Sequence, residues 1–213
     1  RTCGKETASQ PGNVQVHAAL NLSLVDYEYI TRDTGERVVA FGRWAGIVGA
    51  YNALRAWGIK TGSFILKPAN KCHDHREMVD NLKSLVFNSP LKIVVTGEGR
   101  VAGGALETLA ACNIPRVDPA DFTARDYSVP VVCQLGPGQY VEHREKKPFS
   151  FEGFVRDPEE YVSAFMPYTG ASDLLVTGHY WDPSSPKLFS ADDMTKPGFR
   201  IKVIADVTCD IDG

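Results

Sequence analysis

The stretch Ile93-Val94-Val95-Thr96-Gly97-Glu98-Gly99-Arg100-Val101-Ala102-Gly103-Gly104-Ala105-Leu106 decides the fold. A β-branched apolar run ends in G-x-G-x-x-A and passes directly into helix-forming residues. A strand, a tight turn and a helix therefore follow one another without a gap. Gly97 permits the turn, Gly99 lets a backbone approach a pyrophosphate, and Ala102 or Gly103 lets the helix pack close to the sheet. The helix opens with free N–H groups and the positive end of its dipole, which suits a phosphate. The pattern alone is common; the strand before it and the helix after it give it weight.

Working outward, Ile114–Val117 reads as a second strand ending at Asp118, 21 residues beyond Gly97. That is where a dinucleotide-binding fold places an acid on the adenosine ribose. A carboxylate there repels a 2′-phosphate and favours NAD over NADP. The same glycines and acid also suit S-adenosylmethionine, and a tight turn followed by an exposed Asp is the ligand-free alternative.

Val129–Gln134, Asp173–Thr177 and Phe199–Val207 read as further strands, with a short helix over Pro158–Phe165. Residues 136–160 are polar and read as a surface loop. Continuous apolar strands separated by helices predict an α/β fold, a Rossmann-type parallel sheet flanked by helices. Upstream, Leu22–Ile30 reads as a strand closed by the turn residues Asp33-Thr34-Gly35. Residues 38–57 read as a helix stopped by Gly58, with Phe41, Trp44, Ile47, Val48, Tyr51 and Leu54 on one apolar stripe. Gly42, Gly46 and Gly49 inside it point to close approach of another backbone, because glycine otherwise costs a helix about 1 kcal/mol. A second helix is predicted over His75–Phe87.

The bulk properties are those of an ordinary globular chain. Of 213 residues, 43% are hydrophobic and 23% charged, and the net charge is −3. That balance gives no electrostatic reason to expect nucleic acid or an anionic membrane as a partner. The five cysteines are widely spaced, with no CxxC pair, and read as reduced thiols in a cytoplasmic compartment. No apolar run reaches the roughly 18 to 20 residues of a membrane span. The chain opens on Arg1 and stops just past a strand-like run, so both ends read as cut from something longer.

The block Val25–Ile30, followed by Val38-Val39-Ala40-Phe41-Gly42-Arg43-Trp44-Ala45-Gly46-Ile47-Val48-Gly49, resembles the lysine-forming saccharopine dehydrogenases and the lysine-ketoglutarate reductase half of the bifunctional lysine-degrading enzyme. These stand with alanine dehydrogenase and the transhydrogenase NAD domain. The likeness resumes at Gly97–Ala105, Gly178-His179-Tyr180-Trp181 and Ala205-Asp206-Val207-Thr208-Cys209-Asp210, in the family's order. It implies a two-domain oxidoreductase with a cleft between the domains. Residues 1–36 would be a remnant of the first domain and 37–213 the NAD-binding domain, with the helix at 38–57 as connector. It further implies that Gly99, Arg100 and Val101 line the pyrophosphate beyond the turn at Gly97, and that Asp118 holds the ribose. His179, Tyr180 and Trp181 would run along the cofactor, and Asp206, Val207, Thr208 and Asp210 would approach the nicotinamide. The substrate of the whole enzyme would be an amino acid.

The departures bear on activity. The family's acid–base pair is a lysine and a histidine of the first domain, the histidine in a His-x-x-Lys-x-Gln pattern. Here Gln10 is present, but Lys5 and Ala8 stand where the histidine and lysine belong. No catalytic residue is assigned, and the chain is expected to bind NAD without turning over a substrate. A non-catalytic NAD-binding or sensing module and an alanine dehydrogenase-like enzyme are the alternatives. Cys72-His73-Asp74-His75 looks like half of a metal site but has no second ligand cluster, so a helix start capped by Asp74 is the simpler reading.

Overall fold

The computed structural model describes residues 26–208. Their packing divides the chain into two units, Arg1–Ala40 and Phe41–Gly213. In the first, the predicted strand is not formed over its described part. Tyr27–Tyr29 makes a 3-10 turn, because the Asp26 carboxylate accepts the Glu28 N–H at 2.9 Å. The turn at Asp33-Thr34-Gly35 does form, with Gly35 at φ +79° and Thr31 bridged to Arg37. Residues 22–25 lie outside the described residues.

The second unit opens with α1 (Gly42–Thr61) and α2 (His75–Lys83). Helix α1 passes through Gly58 and stops at Gly62, which takes the left-handed conformation at φ +67°. Gly58 is instead a packing position, where a Cβ would collide with the Phe64 carbonyl oxygen. The apolar stripe is buried at Ile47, Tyr51 and Leu54 but exposed at Phe41, Trp44 and Val48. Asp74 caps α2 by accepting the Glu77 N–H at 2.9 Å, the helix start expected of that segment. Helix α2 ends four residues short of the predicted Phe87, leaving Val86 exposed.

The sheet follows: β1 (Lys92–Thr96), α3 (Arg100–Ala111), β2 (Arg116–Val117), α4 (Pro119–Ala124) and β3 (Val131–Leu135). Residues 136–160 are not the plain loop predicted. They hold α5 (Pro137–Tyr140), β4 (Val141–His143) and α6 (Phe151–Arg156), and β4 pairs antiparallel with β5 (Tyr161–Ser163). Tyr140, Val141, His143 and Tyr161 bury the inner side of this hairpin, apolar positions too sparse in a charged segment to show a period. The helix expected over Pro158–Phe165 is thus a 3-10 turn and a strand, and the helix comes later as α7 (Met166–Ala171). Strands β6 (Leu174–Thr177) and β7 (Val203–Asp206) complete the sheet.

The five strands run parallel in the order β2-β3-β1-β6-β7, an α/β Rossmann-like sheet covered on both faces. Alternation along the strands sorts the core. Ile93, Val95, Val132, Leu174 and Val176 face α1, α2 and α3, while Val94, Val131, Cys133 and Leu175 face the hairpin, α4 and α7. The strand order has one departure from the common dinucleotide-binding order: β3, not β2, lies beside β1.

Helices α1 and α3 cross with their backbones in contact. A Cβ at Gly46 would collide with the Val101 carbonyl oxygen, and one at Gly104 with that of Arg43. The close approach of a backbone expected of the α1 glycines is met at Gly46, by the helix after the glycine turn; Gly49 faces the Val207 side chain instead. Arg43 closes the crossing with a forked pair to Glu107, at 2.9 and 2.6 Å. Among the described residues, no helix is long and apolar enough to cross a membrane.

Candidate functional site

The C-terminal ends of β1 and β6 lie side by side where the chain's path across the sheet reverses, the place where open α/β sheets take ligands. Both ends carry a glycine. Gly97 follows β1 at φ +99°, a conformation that a side chain would strain, and a Cβ there would lie 2.6 Å from the Gly178 carbonyl oxygen. A Cβ on Gly178 would in turn lie 3.1 Å from the Ala102 N. Ala102 is fully buried, so it is the residue that lets α3 lie close to the sheet. Gly103 is not, since a Cβ there would meet open space.

Gly99 is the N-cap of α3, and it too faces open space. An atom added there touches no protein atom within 4 Å, so the approach to the first turn of α3 is clear. This turn fits the pyrophosphate of a dinucleotide: uncapped N–H groups, a positive dipole end and no Cβ in the way. Arg100 is the first residue of α3 and is exposed. Val101 follows it, its carbonyl turned onto Gly46. The turn is fastened to β3 by the Gly97 N–H to the Leu135 carbonyl and by Gln134 Nε2 to the Gly97 carbonyl, both 2.8 Å.

Beyond β6, His179 places Nδ1 2.6 Å from the Thr96 hydroxyl and packs its ring on Tyr140, with centroids 5.1 Å apart. Burial pushes the Tyr140 phenol well above its usual value, and the negative charge of Glu98 adds to the shift. Tyr180 is exposed and Trp181 is buried. Asp206 ends β7. Its Oδ1 accepts from the Thr177 hydroxyl at 2.6 Å and from the Thr208 hydroxyl and N–H at 2.7 and 3.0 Å. Burial raises the Asp206 pKa, but these hydrogen bonds outweigh it and hold the group below its usual value.

A cleft of about 190 Å³ gathers four of the residues singled out from the sequence, His179, Trp181, Asp206 and Thr208. Its remaining walls are mostly apolar, including Leu188, Phe189 and Met194, with Lys187 at 5.9 Å from the Trp181 ring. The segment that carries Leu188 to Met194 has neither helical nor strand period, so nothing in the sequence marked it. The Trp181 indole N–H is buried and has no partner among the described residues.

Val207 is placed differently from the rest. A Cβ at Gly49 would meet its side chain, so Val207 packs on α1. Asp118 is exposed at the end of β2, and its carboxylate makes no cap bond to α4. Asp210 lies outside the described residues, as do Lys5, Ala8 and Gln10.

No family model matches the chain. Curated relatives do. The chain is 28% identical over 90% of its length to an alpha-aminoadipic semialdehyde synthase of Arabidopsis thaliana, and 25% identical over 81% to the mitochondrial alpha-aminoadipic semialdehyde synthase of Rattus norvegicus. It is 22% identical over 88% to a saccharopine dehydrogenase [NAD(+), L-lysine-forming] of Neurospora crassa. The chain spans 22%, 21% and 44% of these relatives' own lengths. They support the family resemblance read from the glycine turn and the blocks after β6 and β7.

Proposed function

We propose that the chain is the dinucleotide-binding part of an oxidoreductase of lysine metabolism, similar to the saccharopine dehydrogenases, and that its cofactor is NAD. The observation that carries this reading is the glycine turn between β1 and α3, open at Gly99 and set at the reversal point of the sheet. The pyrophosphate lies on the first turn of α3, at Gly99 and Arg100. The nicotinamide end runs toward the cleft at His179, Trp181, Asp206 and Thr208.

Bound NAD supplies the hydride acceptor for oxidation at a carbon bearing a secondary amine. This chain's residues bind and orient it, and the apolar cleft walls keep water away. The acid–base pair and the amino-acid substrate belong to the whole protein, since Lys5 stands where the family's histidine does. The compartment proposed is the cytoplasm, the thiols at Cys72, Cys112 and Cys133 being free.

Calorimetric titration with NAD, NADP and S-adenosylmethionine tests the reading. Binding of NAD, lost in Gly99→Val, supports it; binding of S-adenosylmethionine alone defeats it. An absorbance assay at 340 nm with saccharopine, alanine, and lysine plus 2-oxoglutarate then separates the enzyme from a sensing module. Steady turnover by this chain, lost in Gly99→Val, would place the catalytic groups inside it.

A further inference from the structure

In a dinucleotide-binding sheet, the acid that takes the adenosine ribose stands near the tip of the strand beside the glycine-turn strand. In this protein that neighbour is β3. Strand β2 lies one place further out, and its register sets Val117 opposite Cys133, so that Asp118 falls level with Gln134. Gln134 is itself opposite Val95 of β1. The Asp118 backbone is thus two strand spacings from β1, about 9.5 Å.

The tip of β3 is Leu135-Gly136, which has no carboxylate of its own. A carboxylate is nonetheless there, and it comes from the glycine turn. A Cβ at Gly136 would lie 2.6 Å from Glu98 Cδ and 2.7 and 2.8 Å from its two oxygens. The absence of a side chain at Gly136 leaves the room that Glu98 occupies. Both bonds that fasten the turn to β3, from the Gly97 N–H and to the Gly97 carbonyl, fall on the residue before Glu98 and fix the backbone that leads into it. The Glu98 residue is exposed. It stands one residue from Gly99, where the pyrophosphate approach is open.

We propose that Glu98, rather than Asp118, is the carboxylate that receives the adenosine ribose hydroxyls and turns away a 2′-phosphate. The proposal rests on the dinucleotide reading and makes it more specific. A ribose diol offers two O–H donors to a group that only accepts, and each bond to an ionised acceptor is stronger than a neutral one. A 2′-phosphate brings negative charge and no donor to the same place. Gly136 is then a specificity residue as well, because any side chain there displaces Glu98.

The test is calorimetric titration of the full chain with NAD and with NADP. Glu98→Gln keeps the shape and removes the charge. It is expected to weaken NAD about tenfold to a hundredfold and to narrow the NAD over NADP preference by a similar factor. Gly136→Ala, with a circular dichroism spectrum like the parent's, is expected to act in the same direction. Asp118→Asn is expected to stay within about twofold of the parent for both. Loss of the preference in Asp118→Asn with none in Glu98→Gln overturns the assignment, as does a parent chain that prefers NADP, while the dinucleotide reading stands. A parent chain that binds neither nucleotide overturns both.

Discussion

The Thr96 hydroxyl stands 2.6 Å from His179 Nδ1, so the end of β1 is tied to the loop that follows β6. Thr96 is fully buried, and its carbonyl also accepts the Gly178 N–H at 3.0 Å. The two loops that frame the proposed cofactor path are therefore held by one residue. Thr96→Val keeps the shape and leaves His179 facing a methyl group. It is expected to cost about 1 to 2 kcal/mol in a urea unfolding titration and to weaken NAD. Thr96→Ser restores the hydroxyl and is expected to restore both. Equal behaviour of the Val and Ser variants would remove the tie from the account.

The crossing of α1 on α3 makes a stability prediction with its own control. At Gly46 and Gly104 a methyl group has nowhere to go, because the atom it meets is backbone on the facing helix. Gly104→Ala forces the helices apart and is expected to destabilise the fold by about 1 to 3 kcal/mol or more. Gly103→Ala, one residue away and facing open space, is expected to gain about 0.5 to 1 kcal/mol from helix propensity alone. Thermal unfolding of the pair decides it: if both shift the midpoint the same way, the helices do not meet there.

The same glycines show how much of the structure was legible in the sequence. Gly46 sits in an apolar helical stripe where propensity argues against it, so a close approach was readable; which helix approaches was not. Strands β1 and β6 were readable because residues buried on both faces leave an unbroken apolar run. Strand order was not, since nothing in Arg116-Val117 says whether β1 or β3 is its partner. Spacing accordingly points to Asp118 for the ribose acid, and only the order of the strands brings the proposed Glu98 into view. The hairpin over Val141–Ser163 was hidden by its composition: Glu142, Arg144, Glu145, Lys146 and Lys147 are polar, while a few residues such as His143 and Tyr161 carry its burial.

Gly97 and Gly99 are two residues apart in one motif, and the structure separates their tasks. Gly97 at φ +99° is pressed against Gly178 and the His179 Cα, so Gly97→Ala strains the backbone and displaces the β6 loop. It is expected to destabilise the fold by about 1 to 3 kcal/mol. Gly99 touches nothing, so Gly99→Val is expected to unfold within about 1 kcal/mol of the parent, and yet to bind no NAD. Urea titration and calorimetry on the same two proteins test the division. Retained NAD binding in Gly99→Val would mean that the open approach is not the cofactor's.

Asp206 predicts an acid limb in the stability profile. Its Oδ1 takes three hydrogen bonds, from the Thr177 hydroxyl and from the hydroxyl and N–H of Thr208. Burial raises the pKa, but the bonds to the ionised form win, and the group titrates below its ordinary value of 3.8. In the unfolded chain those bonds are gone and the ordinary value returns. Above that value both states are ionised, and the bonds contribute their full stabilisation. As the pH falls below it, the unfolded chain takes up a proton that the folded chain still refuses. The contribution is therefore lost progressively as the pH falls through the folded value. Because Asp206 remains partly exposed, solvent screening keeps the contribution below about 1 kcal/mol. The measurement is the urea midpoint from pH 7 to pH 2 for the parent and Asp206→Asn. The parent is expected to lead at pH 7 and the gap to close on the acid side. A gap that is constant, or that widens as the pH falls, would show that the Asp206 carboxylate is not held ionised by Thr177 and Thr208.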